Sequence, residues 1–238
     1  MKNRKSLSAF TLIELLIVIA IIGILATLMF PAIQGAMNQA QGVRVGNNGR
    51  SIVQAIVSAN IERESQSLGS VWPSVKNFGS KSSNEYFQQL LEQEILDGIT
   101  LSSLVGGGVE AATDVSKLSS EGNIWDCLAG IESCDDAIPF LWTRNLDGVT
   151  KDKFDFSDAN AAQKEKWSSL LNSTKNNEKP FGVAQVVTVS KGSAMRTIKA
   201  KYLTQYSFLN GVAITNDVAN TIEVMLAKTD KEASSSEW

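Results

Sequence analysis

Between Phe10 and Phe30 the chain runs for 21 residues with one charge, Glu14. At ~1.5 Å rise per residue, a helix over this stretch is about 30 Å long, the thickness of one hydrocarbon core. The first thirty residues hold 20 apolar side chains, whereas the chain as a whole is 43% hydrophobic, so this end is a separate physical object. It can span a membrane.

Lys2, Arg4 and Lys5 precede the run. Basic residues flanking a first helix hold that flank in the cytoplasm, which predicts an N-inside, C-outside orientation. A cleavable secretory signal carries small residues after its apolar run. Here the small residue Ala9 lies before it, and Thr27-Leu28-Met29-Phe30-Pro31 makes a poor signal-peptidase site. Glu14 is the anomaly, since a carboxylate at the bilayer centre costs ~2.5 to 3.5 kcal/mol on insertion scales and less near the interface. It needs a partner.

Composition then removes whole classes of function. The chain has no histidine, which excludes Ser/His/Asp and Cys/His triads and every histidine-containing zinc site. Its formal charge is −3 and it has no dense Lys/Arg cluster, so a nucleic-acid partner is not expected. An enzyme is the weaker class, and none is expected.

After Pro31 apolar residues recur at helical spacing through Val43 and then Ile52, Val53, Ile56, Val57 and Ile61. Gly35, Gly42, Gly46 and Gly49 with Asn47-Asn48 lower the propensity between them. The pattern predicts one long helix from Phe10 to Glu64, with Gly46 as the place where it would break and Pro31 as a kink. Its outer half would pack on a globular domain through Ile52, Val53, Ile56 and Val57.

Ser65 to Ser83 reads as a surface loop, Asn84 to Leu96 as a short amphipathic helix, and Ala159 to Leu171 as another with Asp158 as its N-cap. Gly106-Gly107-Gly108 is not followed by the Lys-Ser/Thr of a phosphate loop. Gly182 to Ser190 and Met195 to Leu203 form the best hairpin, turning at Lys191-Gly192-Ser193, and Thr221 to Ala227 adds a strand before a polar tail. The fold class is therefore α+β, a long N-terminal transmembrane and amphipathic helix packed on a small antiparallel β-sheet.

Cys127 and Cys134 lie on the exported side, where two thiols at this spacing are expected to form a disulfide closing a small loop. Trp125 and Trp142 around that loop read as core anchors. Asn145, Asp147, Asp152, Asp155 and Asp158 offer oxygen ligands but lack the EF-hand spacing, and read as a solvated acidic loop.

Ala9-Phe10-Thr11-Leu12-Ile13-Glu14-Leu15-Leu16-Ile17-Val18-Ile19-Ala20-Ile21-Ile22-Gly23-Ile24-Leu25-Ala26 closely resembles the start of the type IV prepilin and type II secretion pseudopilin family. The resemblance is specific over positions 9 to 31. It implies a basic leader, residues 1–9, cut by a prepilin peptidase between Ala9 and Phe10, with Phe10 methylated on its new amine. Residues 10–31 would be the transmembrane and assembly helix, 32–64 its amphipathic continuation, and 65–238 the exported domain with its polar tail. The family usually has Gly before the cut; here it is Ala9. Glu14 would direct assembly, Pro31 would kink the helix, and the partners would be other pilin-like subunits and an inner-membrane assembly platform. The resemblance also brings calcium as a cofactor to be considered at the acidic loop, with no other cofactor or metal expected. The competing expectation is an exported enzyme or binding domain on an uncleaved anchor.

Overall fold

A computed structural model of the chain describes residues 11–74, 82–119, 121–149, 165–171, 179–212 and 222–227. It divides into two compact units, Met1–Ala40 and Gln41–Trp238. The first helix, α1 (Leu12–Ser65), contains Pro31 and contributes to both. Within the first unit its apolar side chains are exposed, from Leu12 at 88% to Val18 at 45%. The Thr27 hydroxyl donates to the carbonyl of Ile24, so the polar side chain in this stretch is satisfied by the helix itself.

The second unit is α+β. Five antiparallel strands, β1 (Trp125–Ala129), β2 (Pro139–Thr143), β3 (Gln185–Ser190), β4 (Met195–Lys199) and β5 (Glu223–Met225), form one sheet in the order β4-β3-β2-β1-β5. The β3–β4 hairpin is the pair legible in the sequence, paired from Gln185↔Lys199 to Val189↔Met195. It closes through Ser190 N–H to Ala194 O, with Ser193 at φ 66°. β4 stops at Lys199, four residues before the expected end, because Ala200–Tyr202 winds into a 3-10 turn.

α1 runs unbroken past Gly46, and the glycines expected to weaken it are the positions where it touches the sheet. A Cβ on Gly42 would lie 2.9 Å from Gln185 Nε2, one on Gly46 2.6 Å from Met195 Sδ, and one on Gly49 2.7 Å from Trp125 Cη2 and 2.8 Å from Val189 Cγ2. Spacings of four and three residues put all three glycines on one helix face. Ile52, Val53 and Ile56 continue that face and are fully buried. The propensity cost of each glycine, about 1 kcal/mol, is thereby offset by close contact between helix and sheet.

The second helix, α2 (Ser83–Glu92), starts at a capping box in which Ser82 and Glu85 satisfy each other's backbone N–H groups. Its end comes before the expected Leu96. Glu94 adopts φ 52°, and the N–H groups of Glu94 and Ile95 turn back to Leu91 and Leu90. Asn123 ties α2 to β1, its side-chain amide donating to Asn84 Oδ1 and its Oδ1 accepting from Trp125 N–H. Trp142 and Trp167 pack around Phe208 of the short helix α3 (Gln205–Phe208), with ring centroids 5.6 and 5.1 Å away. The helix expected over Ala159–Leu171 is corrected where the structure describes it: Ser168–Leu170 is a single 3-10 turn, with Lys166 bridged to Thr204. Residues 159–164 and Asp158 lie outside the described residues.

Candidate functional site at the start of the long helix

Helix α1 opens with Thr11 and Glu14, three residues apart. The Glu14 carboxylate accepts from Thr11 N–H at 2.9 Å and from the Thr11 hydroxyl at 2.8 Å, while Glu14 N–H reaches Thr11 Oγ1 at 3.3 Å. This is a reciprocal capping box, and it satisfies two of the donors that every helix start leaves open. The signal was present in the sequence as Thr-x-x-Glu before an apolar run, and the reading of Glu14 as a lone acid missed it. After Glu14 no charged residue occurs until Arg44. None of the most apolar stretch of α1 is buried within the protein, and among the described residues α1 is the one helix long and apolar enough to cross a membrane. Exposed apolar surface of this extent demands a cover of lipid or protein. The site thus consists of one carboxylate, held at the tip of an uncovered apolar rod. Ala9 and Phe10, where cleavage and methylation are expected, lie outside the described residues.

The other expected site residues are not brought to this helix start. The disulfide expected between Cys127 and Cys134 is not formed; both are free, buried thiols. β1 fixes Cys127 opposite Leu141 and Met225, in the field of Tyr86, whereas Cys134 lies in the turn closed by its N–H on Ile131 O, beside Lys191. Burial pushes both thiols above their ordinary range. Burial and a raised pKa both disfavour the thiolate, the nucleophilic form of a cysteine.

Asn145 is fully buried and its amide donates to Gly182 O at 2.7 Å and Gln185 O at 2.8 Å, a structural role inside the domain. Asp147 accepts from Gly148 N–H at 2.7 Å. Asp152, Asp155 and Asp158 lie outside the described residues, and among the described residues no three His, Cys, Asp or Glu side chains converge to hold a metal. Trp125 and Trp142 are both fully buried in the core.

Asp126, the carboxylate beside Cys127, is 3% exposed on β1. Burial raises its pKa to about 7, against the opposing pull of the Ala227 N–H that it accepts at 2.7 Å and of nearby Arg144. Asp126 fastens the chain leaving the edge strand β5 to its neighbour β1. Its place on β1, within the second unit, makes it a structural carboxylate.

Residues 4–30 match the prokaryotic N-terminal methylation motif, the signature of type IV prepilin-like proteins. No curated protein and no solved structure matches the chain. The matched stretch takes in Arg4, Lys5, Phe10, the Thr11–Glu14 box and the apolar rod up to Phe30, so the N terminus carries the type IV prepilin-like signature on a helix long and apolar enough to cross a membrane.

Proposed function

We propose that the protein is a pseudopilin-type structural subunit of a type II secretion or type IV pilus-like assembly, with no catalytic role. The observation that carries this reading is the conjunction of a methylation motif with a single carboxylate at the tip of an apolar helix whose sides are uncovered. Residues 1–9 are the leader, removed by a prepilin peptidase between Ala9 and Phe10. Phe10 is then methylated, residues 10–31 form the transmembrane and assembly segment with a bend at Pro31, residues 32–64 continue it, and residues 65–238 form the exported domain. Lys2, Arg4 and Lys5 keep the leader on the cytoplasmic side of the inner membrane. There the cut exposes a cationic amine four residues from Glu14, about one helical turn. Amine and carboxylate, each at a fixed depth, pair between neighbouring subunits, and the apolar rods move from lipid into a filament core on the assembly platform.

Co-expression with a prepilin peptidase tests the reading. Mass spectrometry should find a chain shortened by nine residues with a methylated Phe10 at its start. A chain retaining Met1 in the presence of active peptidase overturns it in favour of an uncleaved anchor.

A further inference from the structure

The exposed side of α1 in the second unit is chemically polarised along its length. Val43, Arg50, Val57, Ile61 and Glu64 fall at successive spacings of seven, seven, four and three residues, which places them on one helix stripe. Val43 is 44% exposed and Ile61 65% exposed, large apolar side chains left in solvent beside the buried, glycine-lined face, with half-buried Val57 at its edge. Arg50 and Glu64 are exposed on this stripe, and among the described residues neither has an ion-pair partner within the chain.

Around Glu64 the stripe opens into a groove of about 300 Å³, walled by Val57, Ile61, Trp72 and the β3–β4 turn at Lys191 to Ser193. Trp72 is held there edge-on against Phe140, with centroids 5.1 Å apart. The one ammonium in the wall is already engaged: Lys191 Nζ donates to Cys134 O at 2.8 Å and Glu132 O at 3.0 Å, and pairs with Asp136 at 3.3 Å. Arg63 points away and donates through Nε to Gly69 O at 2.8 Å. The groove therefore offers an apolar floor and an unneutralised carboxylate, a receptor for a guanidinium carried on an apolar neighbour.

We infer that this receptor takes a second copy of the chain, displaced along the helix axis so that Arg50 of one copy pairs with Glu64 of a further neighbour, distinct from the one whose Glu14 takes its Phe10 amine. A parallel shift of 14 residues, about 21 Å or close to four turns, brings Arg50 opposite Glu64 and, in the same register, Val43 opposite Val57. One displacement satisfies charge and apolar surface together. Donor and receptor are different patches of the same molecule, so the contact is head-to-tail and does not close. It propagates a filament from the exported domain as the apolar rods do within the membrane. This contact rests on the proposed role as a filament subunit, and it supplies the register of the outer layer.

Charge exchange tests it in the full-length, peptidase-processed chain. Formaldehyde crosslinking in membranes and filament pelleting are compared for wild type, Arg50→Glu, Glu64→Arg and the double variant Arg50→Glu/Glu64→Arg. An exposed pair replaced by like charges should lower the crosslinked ladder by about fivefold in each single variant. The double variant, with the pair restored in reversed sense, should recover most of the wild-type ladder. Single variants that assemble as wild type does overturn the contact, as does a double variant no better than the singles. Either result leaves the filament role standing, because wild type still assembles. A wild-type chain that is processed but gives no ladder and no pellet overturns the filament role and the contact with it.

Discussion

Asp126 makes the second unit sensitive to pH in a direction opposite to that of most proteins. A carboxyl whose folded pKa is raised to about 7 from an ordinary 3.8 holds its proton longer in the folded state than in the unfolded chain. Folding is therefore most favoured, as far as this group is concerned, below about pH 4; the advantage is lost as pH rises towards 7 and is gone above it. A displacement of about three pK units, which already includes the pull of Arg144 towards the anion, corresponds to about 4 kcal/mol across that window. Asp126→Asn removes the charge and keeps an oxygen to accept from Ala227 N–H. The substitution should stabilise the protein at pH 8 by up to about 4 kcal/mol and have little effect at pH 4. Urea unfolding of the detergent-solubilised chain, followed by fluorescence of the buried Trp125, Trp142 and Trp167, reads this directly. A variant less stable than wild type at pH 8, or one whose stability changes with pH as steeply as wild type between 4 and 8, would refute the assignment.

Gly49→Ala forces a methyl group against Trp125 and Val189. Overpacking of about 1 to 3 kcal/mol should outweigh a helix-propensity gain of about 1 kcal/mol, giving a lower melting temperature. Gly35→Ala, where a Cβ meets nothing within 4 Å, should instead be neutral or stabilising in the same melt. Thiol titration should find two reactive groups per chain in denaturant and very slow reaction without it, since Cys127 is 0% and Cys134 8% exposed; a linked pair recovered by non-reducing peptide mapping would contradict the structure.

The parts of the fold that were legible in the sequence are those with a period. The apolar rod, the Ile52–Val53–Ile56 face and the β3–β4 hairpin all follow from 3.6- or 2-residue spacing. β1 and β2 were not foreseen because, buried at every position as β3 is, they show no alternation, and they lack the run of β-branched residues that marks β3. The glycines of α1 misled for a related reason: propensity counts the cost of a missing side chain, and only the tertiary contact with Trp125, Val189 and Met195 shows what the space is for. Cys127 and Cys134 are close in sequence, yet proximity along the chain says nothing about which neighbours a strand and a turn assign them. At the candidate site, Glu14 stood out by charge alone, while its Thr11 partner was hidden by being an ordinary residue in an expected place.

Thr11 changes what a substitution at Glu14 means. In the single chain the carboxylate closes the helix start through two hydrogen bonds from Thr11, so Glu14→Leu removes a cap and a charge together. A defect in that variant would not say which was needed. Glu14→Gln separates them, because its amide oxygen can accept from the same Thr11 N–H and hydroxyl while carrying no charge. A lost cap costs about 1 kcal/mol and acts on one helix. An amine left without its anion in a low-dielectric bundle costs several kcal/mol and acts at every subunit contact. Both variants should insert and be processed. If pairing with a neighbour's Phe10 amine drives assembly, Glu14→Gln should pellet as poorly as Glu14→Leu, despite an intact helix start. If Glu14→Gln pellets as wild type does, the capping box is the whole role of Glu14, and subunit register must come from the exported domain.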